Sequence, residues 1–225
     1  MSKTTLLAAV AFVMVVSALV LSIYTGPDYQ SLKNQTKASD ILHNMNRELP
    51  NFALIDHNQT EFDNDSFKGK WTLVSFIYTH CPDICPTVLM DMSMLKSILV
   101  KRSLKEVPEF VAITFDPKRD TPKLLKNYVT HFDSGFLGVS GEQKSIDQLV
   151  KVFGAYYERS FEVEGKSVII PNGQPMPNDV IDYSINHTAL LYLISPDGRI
   201  FASFPMPHEP FLMADDVELF IKNYQ

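Results

Sequence analysis

The stretch Trp71–Arg102, WTLVSFIYTHCPDICPTVLMDMSMLKSILVKR, decides the fold of this chain. It opens with the apolar and aromatic run Trp71–Tyr78, whose length and composition predict a strand buried on both faces. Beyond the two cysteines, apolar residues recur at helical spacing from Val88 to Leu99. Cys81 and Cys85 are therefore predicted to lie at a junction between a strand and a helix, at the N-terminus of that helix.

The segments around this stretch continue the alternation of strands and helices. FALID, after Asn51, predicts a first strand, and Pro108–Phe115 predicts another buried strand. Either Asp120 or Thr121 can cap a helix that Pro122 opens. FLGVS then predicts a short strand, and a further helix is predicted over about residues 145–157, with apolar residues along one face.

The C-terminal third of the chain predicts an insertion followed by a hairpin. Arg159–Val180 is rich in proline, glycine and asparagine and predicts an inserted hairpin. TALLYLI and RIFASF flank the turn sequence Ser195–Gly198, as the two strands of a hairpin do, and an amphipathic helix closes the chain. This element order predicts an α/β protein with a thioredoxin-like fold and an inserted β-hairpin.

The N-terminal residues have a different composition from the rest. Thr4–Tyr24 carries no charge and is about as long as the roughly 20 apolar residues that cross a bilayer as a helix. We therefore predict one transmembrane anchor over residues 1–25, a polar tether over residues 26–50 and a folded domain over residues 51–225. A cleaved signal peptide is the alternative. With Lys3 on the cytoplasmic side, the expected location is a bacterial inner membrane, with the domain facing the periplasm.

The composition narrows the possible functions. The 225 residues carry a net charge of -6, and 45% of them are hydrophobic. That acidity, without any basic run, argues against a nucleic-acid partner. Glycine fingerprints that bind phosphate groups are absent as well.

Cys81 and Cys85 are the only cysteines, and three residues separate them. They can form a disulfide, a dithiol or two donors of a metal site. A purely structural disulfide would gain little, because loop closure stabilises short loops least. The helix N-terminus favours ionised thiols. Two soft thiolates select copper(I) or zinc over hard cations.

Two thiolates need a further donor to complete a metal site, and histidine is the obvious candidate. The six histidines are His43, His57, His80, His131, His187 and His208. His187 ends the polar insertion, where a thioredoxin-like sheet can bring it towards the first helix N-terminus, although the pattern alone leaves its role open. His57 and His131 are expected to be solvated, and His208 to lie in a surface loop. Met90, Met92 and Met94 are expected to be mostly core residues.

Three motifs give the chain a resemblance to a known family. FKGKWTLVSFIYTHCPDICPT, ITFDPKRDTP and DYSINHTALLYLISPDGRI follow one another between about Phe67 and Ile200. In order and approximate spacing the chain resembles the Sco/SenC family, the membrane-anchored, thioredoxin-like copper proteins of respiratory oxidase assembly. Ile77 and Asn186 stand where glycine and aspartate are common in relatives, and neither replaces a ligand.

The resemblance implies the site and its cargo. In that family two cysteines and one histidine ligate copper, which carries over to Cys81, Cys85 and His187, with copper(I), copper(II) or both as the bound ion. Asp116, in the DPKRDTP motif, would support the site or face a partner rather than ligate the metal.

Two functions from different classes follow. One is a metallochaperone, not an enzyme, that takes copper from an upstream donor and delivers it to the binuclear centre of a copper-bearing cytochrome c oxidase subunit. The other is a thiol-disulfide oxidoreductase that uses Cys81 and Cys85 as its redox-active pair, with the cysteines of that centre or another periplasmic protein as its exchange partner. A redox or copper sensor is a third, weaker reading.

Overall fold

The structure, a computed structural model, describes residues 29–42, 49–177 and 179–224, together with Met14. The predicted membrane anchor over residues 1–25 lies outside the described residues except for Met14. Within the described part of the chain, no helix combines the length and the apolar character that crossing a membrane requires.

A mixed sheet of eight strands forms the centre of the fold. In chain order its strands are β1 (Asp40–Ile41), β2 (Ala53–Asp56), β3 (Glu61–Asp63), β4 (Thr72–Ile77), β5 (Glu109–Thr114), β6 (Phe136–Ser140), β10 (Leu191–Ile194) and β11 (Ile200–Phe204). They are arranged in the order β1-β11-β10-β4-β5-β6-β2-β3. The central strands β4, β5 and β6 are parallel, and all other neighbours are antiparallel.

Five α-helices accompany these strands in the described residues: α1 (Tyr29–Lys33), α2 (Ile84–Lys101), α3 (Pro122–Phe132), α4 (Gln143–Phe153) and α5 (Pro210–Asn223). Thr121 caps α3 by accepting a hydrogen bond from the Leu124 N–H, with Pro122 in the first turn. Helix α4 begins two residues before the predicted start and ends at Gly154, whose φ of 69° suits a helix C-cap. The helix predicted to reach residue 157 is therefore shorter.

The core is built on β4 and α2. All six residues of β4 are buried, as expected for a central strand covered on both faces. Helix α2 buries Val88 and Met92, but Met90 and Met94 are 63% and 46% exposed. The prediction that these three methionines are mostly core residues is thus wrong for two of them, because residues two apart in a helix point in different directions.

A second sheet, of three strands, forms where the insertion was predicted. Strands β7 (Tyr157–Val163), β8 (Lys166–Pro171) and β9 (Ser184–His187) pair in the order β8-β7-β9, all antiparallel. Glu164 and Gly165 make the turn between β7 and β8, both with positive φ, as a two-residue hairpin of this twist requires. The insertion thus begins at residue 157, and its sheet ends at His187.

Part of the predicted tether is attached to the domain. Strand β1 pairs with β11 through Asp40 and Ile41. The buried carboxylate of Asp216, on α5, accepts hydrogen bonds from the backbone N–H groups of Lys37 and Ala38, each at 2.9 Å. These contacts hold residues 37–41 against the last helix and the edge of the main sheet.

Candidate metal centre

The two cysteines lie where strand β4 passes into helix α2, as the sequence predicted. Cys81 is half-buried in the connecting loop, and Cys85 is fully buried in the first turn of α2. The backbone N–H of Cys85 donates to the Sγ of Cys81, 3.3 Å away. Both thiols are free. The pair therefore forms a reduced dithiol at a helix N-terminus, where backbone N–H groups favour negative charge on sulfur.

His187, the last residue of β9, completes the group from the second sheet. Its Nε2 lies 3.3 Å from the Sγ of Cys85, and its Nδ1 lies 2.9 Å from the carbonyl oxygen of Thr188. A carbonyl oxygen can only accept a hydrogen bond, so Nδ1 carries the proton. The unprotonated Nε2 is left facing the thiols, with the lone pair that a metal ligand needs.

Aromatic side chains fix the orientation of the imidazole. The ring of Phe115 lies 5.0 Å from that of His187, and the ring of Tyr78 meets it edge to face at 5.8 Å. In the small sheet, Tyr157 on β7 is the direct partner of His187 on β9. His187 is thus held by rings from the main domain and by the register of the small sheet.

Together these three side chains form a group that can hold a metal ion. Their candidate ligand atoms, the two Sγ atoms and one imidazole nitrogen, all lie within 4.8 Å of one another. Two thiols and an imidazole form a soft donor set, which suits copper(I) or zinc and not hard cations such as magnesium. The donor chemistry therefore fits copper.

The two thiols have different proton affinities. The hydrogen bond from Cys85, together with those from the backbone N–H groups of Asp83 and Cys85, holds the pKa of Cys81 well below its usual range. The same hydrogen bond, with burial, raises the pKa of Cys85. Cys81 is thus the ready thiolate of the pair, and Cys85 keeps its proton until a metal or another reaction removes it.

A buried aspartate shapes the loop that carries Cys81. Asp120 accepts hydrogen bonds from the backbone N–H of Thr79 at 3.0 Å, from the Thr79 hydroxyl and from the Thr114 hydroxyl at 2.5 Å. Burial raises the pKa of this carboxyl group. The sequence pointed to Asp120 only as a possible helix cap, but Thr121 takes that place. The local pattern of the chain holds no signal for the contact with Thr79, which lies 41 residues away.

Asp116, by contrast, is not among the candidate ligands, and it is buried. It accepts a hydrogen bond from the Tyr183 hydroxyl at 2.6 Å and pairs with Arg119. A side chain only 1% exposed cannot face a partner protein. Its place is in the wall behind the site, in keeping with a supporting group.

None of the other histidines in the described part of the chain belongs to this group. His80 is half-exposed, with its Nδ1 3.8 Å from Asp120 Oδ1, and His131 is exposed on α3. His57 and His208 are buried, against the expectation of solvated or surface positions. His57 accepts a hydrogen bond from the Gly138 N–H at 3.0 Å, and His208 lies beside Asp91. His43 lies outside the described residues.

Comparison with known proteins agrees with this geometry. Residues 42–222 match the protein family described as SCO1/SenC. Among curated proteins, the SCO2-like protein of Rickettsia felis is 36% identical over 159 residues, which cover 71% of this chain and 70% of the relative.

Solved structures give the same result. The structure of Bradyrhizobium japonicum ScoI with copper bound is similar, with 33% identity, a TM-score of 0.60, and coverage of 78% of this chain and 98% of that protein. Arabidopsis thaliana ScoI with copper bound has 26% identity and a TM-score of 0.66, with the same coverage. The α/β fold described above therefore matches those of thioredoxin-like Sco proteins.

Proposed function

The chain belongs to the SCO1/SenC family, and we propose that it is a copper metallochaperone for a respiratory cytochrome c oxidase. It receives copper from an upstream donor, holds it between Cys81, Cys85 and His187, and passes it to the binuclear copper centre of an oxidase subunit. Copper is the cargo in this role.

One observation carries the proposal: three soft or borderline donors from distant parts of the chain converge within 4.8 Å. A dithiol working by disulfide exchange needs no imidazole beside it. Copper held by two sulfurs gains a third donor from His187, whose tautomer leaves Nε2 free. The presence of copper in the two similar Sco structures supports the same assignment.

The unequal burial of the two sulfurs suits transfer of the ion. Cys85 is fully buried, whereas Cys81 is partly open to solvent. An incoming donor from the acceptor protein reaches the metal from the side of Cys81. The ligands of this chain are then replaced one at a time by those of the acceptor protein, so copper is transferred without being released as a free ion.

Titration of the reduced full-length chain with copper(I) tests the proposal. We expect one tightly bound copper, with X-ray absorption that shows two sulfur neighbours and one imidazole nitrogen. Replacing either cysteine by serine should abolish tight binding, because one thiolate and one imidazole form a poor chelate. Copper neighbours made up only of oxygen and nitrogen would rule the proposal out.

A second function, thiol-disulfide exchange, is favoured by the difference in pKa between the two thiols. The lowered pKa of Cys81 suits an attacking thiolate, and the raised pKa of Cys85 suits a resolving partner that stays protonated until needed. The substrate would be the cysteine pair of the same oxidase centre or of another periplasmic protein. Reduction of such a disulfide by the copper-free chain would support this activity, and His187→Ala should leave it intact.

We further propose that the protein is anchored in a bacterial inner membrane by a single span, with its domain in the periplasm. The uncharged run Thr4–Tyr24, with Lys3 before it, supports this arrangement. Cell fractionation tests it. Recovery of the protein from the soluble periplasm, with a new N-terminus near residue 19, would instead identify the run as a cleaved signal.

A further inference from the structure

A cavity of about 430 Å³ lies beside the Asp116 motif, outside the candidate metal centre. It opens between the loop that follows β5, the start of α4, strand β7 and the loop before β9. Seven of the residues that line it matter here: Asp116, Lys118, Gln143, Arg159, Pro175, Met176 and Tyr183. The candidate metal centre uses none of them as a donor.

Arg159 is a buried positive charge in this cavity. Only 3% of the residue is exposed, and its Nη2 donates to Gln143 Oε1 at 2.6 Å and to the carbonyl oxygen of Phe115 at 3.4 Å. Its guanidinium also lies 4.8 Å from the centre of the Tyr157 ring. Within the described residues it forms no ion pair with a carboxylate. Arginine is almost never buried without one, because an uncompensated charge costs free energy.

The acidic group in the cavity wall is already neutralised. Asp116 pairs with Arg119 and accepts a hydrogen bond from Tyr183. The Arg119 guanidinium stacks on the Tyr183 ring at 3.6 Å, and its Nη2 is buried without a hydrogen-bond partner among the described residues. Lys118 adds a further positive charge at the rim. With Asp116 paired to Arg119, the charges of Arg159 and Lys118 remain without a paired carboxylate among the described residues.

We propose that this cavity binds a carboxylate group. The guanidinium of Arg159 offers a planar set of donors that matches a carboxylate, and Lys118 adds attraction from the rim. The side-chain amide of Gln143 holds Arg159 in place, while Pro175 and Met176 supply an apolar wall for a short aliphatic stem.

The bound carboxylate would lie one side chain away from the metal ligands. Phe115 joins the two places, since its carbonyl oxygen accepts from Arg159 and its ring lies 5.0 Å from that of His187. No metal contributes to the charge of the cavity, so binding of a carboxylate there does not depend on whether the chain transfers copper. The carboxylate has two possible sources, a free small acid or an acidic side chain of a docked protein.

Nuclear magnetic resonance on the copper-free full-length chain in detergent tests the proposal and separates the two sources. The probes are sodium acetate, the peptide acetyl-Gly-Glu-Gly-amide, its neutral counterpart with glutamine, and inorganic phosphate. We expect acetate or the glutamate peptide to shift the side-chain amide signals of Gln143 in a saturable manner. Equal affinity for both identifies a free acid as the source, and clear preference for the peptide identifies an acidic side chain.

Variants test the role of the charge. Arg159→Gln should weaken binding of the favoured probe by about tenfold or more, since it removes a charge-assisted contact. Lys118→Gln, at the exposed rim, should weaken it by a smaller factor and keeps the test valid if the first variant does not fold. Lys166→Gln is the matched control. It removes an equal charge from β8, the partner strand of β7, outside the cavity, and should leave the affinity for the probe unchanged.

Three results would each overturn the proposal. The first is no saturable shift at Gln143 with either carboxylate probe into the tens of millimolar. The second is equal binding of the glutamine peptide or of phosphate, which would remove the selectivity for a carboxylate. The third is unchanged affinity in both Arg159→Gln and Lys118→Gln.

Discussion

The Nε2 of His187 lies 3.3 Å from the Sγ of Cys85, although 102 residues separate the two along the chain. The cysteine comes from the first turn of a helix in the main domain, and the histidine from the last residue of a strand in the smaller sheet. The third donor therefore depends on how the two sheets pack together, whereas the cysteine pair depends on one local turn.

His187→Ala should weaken copper binding and leave the cysteine chemistry intact. We expect a loss greater than the roughly 10–100-fold that follows removal of a group merely supporting a ligand. The disulfide between Cys81 and Cys85 should still form and be reduced, because exchange needs only the two sulfurs. Competition with a copper(I) chelator measures the first quantity, and thiol titration the second. Unchanged copper affinity would remove the histidine from the site.

The same variant separates the chaperone from the reductase in cells. If the protein delivers copper, a strain carrying His187→Ala should fail to metallate its oxidase, much as a Cys81→Ser strain does. Oxidase activity at limiting copper is the measurement. Full activity in the histidine variant, together with loss in the cysteine variant, would favour the reductase.

Cys81 should react with iodoacetamide under mildly acidic conditions, whereas Cys85 should not. The pKa of Cys81 is lowered and that of Cys85 is raised, so only Cys81 is a thiolate near pH 5. Below its pKa of about 8.5, an ordinary thiol reacts about ten times faster for each unit by which the pH is raised. Cys81 should instead react at a nearly constant rate between pH 5 and 8, as followed by mass spectrometry of the reduced, copper-free chain.

Cys85→Ala supplies the control for this experiment, because the hydrogen bond from Cys85 is the main cause of the lowered pKa of Cys81. Without it, the reaction of Cys81 should regain part of the ordinary rise with pH. Equal labelling of both cysteines at pH 5 would contradict the assignment of the thiolate.

Asp120→Ala should destabilise the fold and loosen the loop that carries Cys81. The change removes the acceptor for the Thr79 N–H and for two hydroxyl groups in a buried place. Leaving such donors unsatisfied costs about 1–3 kcal/mol of unfolding free energy. Asp83→Ala removes the same charge from an exposed position between the cysteines and is the matched control. Urea unfolding measures the free energy of unfolding of both variants. Equal stability of the two would argue against a structural role of Asp120 in this loop.

The free energy of unfolding should fall as the pH is lowered from about 6.5. Burial lowers the pKa of His208, partly offset by Asp91, and burial also lowers the pKa of His57. As the pH falls, the unfolded chain therefore binds more protons than the folded chain. Each such histidine contributes a slope of at most about 1.4 kcal/mol of unfolding free energy per pH unit. Denaturant unfolding between pH 5 and 7 measures this slope.

His208→Gln should flatten that dependence, because glutamine cannot titrate and keeps a donor for the nearby carbonyl group of Phe204. His131→Gln, at an exposed position on α3, should leave the slope as it is. If both variants show the slope of the parent chain, His208 is not a source of the pH dependence.

The parts of the fold that depend on short stretches of chain were predictable from the sequence. The buried strand β4, the start of α2 and the cysteines between them follow from an apolar run, a helical repeat and a proline. The hairpin of β10 and β11 follows from its turn residues. In each case the pattern that indicates the element lies within about twenty residues, although the partners that bury it can lie much further along the chain.

The contacts between distant segments were not predictable from local patterns. The position of His187 leaves its role open, and only the family resemblance implies that it is a ligand. Arg159 begins the stretch that predicts an inserted hairpin, and nothing in that pattern indicates that the packing of β7 against the main domain buries it. His208 is buried for a similar reason, since its loop folds back towards Asp91 on α2. Such burial is decided by tertiary packing, which a single sequence does not encode in any short window.

The candidate donors come from two different parts of the fold. The sulfurs belong to the main domain, while the imidazole belongs to β9, which pairs with β7 in the three-stranded sheet. A substitution that displaces β9 should therefore move the imidazole and leave the two sulfurs in place. We therefore expect substitutions in the three-stranded sheet to change how long copper stays bound without altering the dithiol.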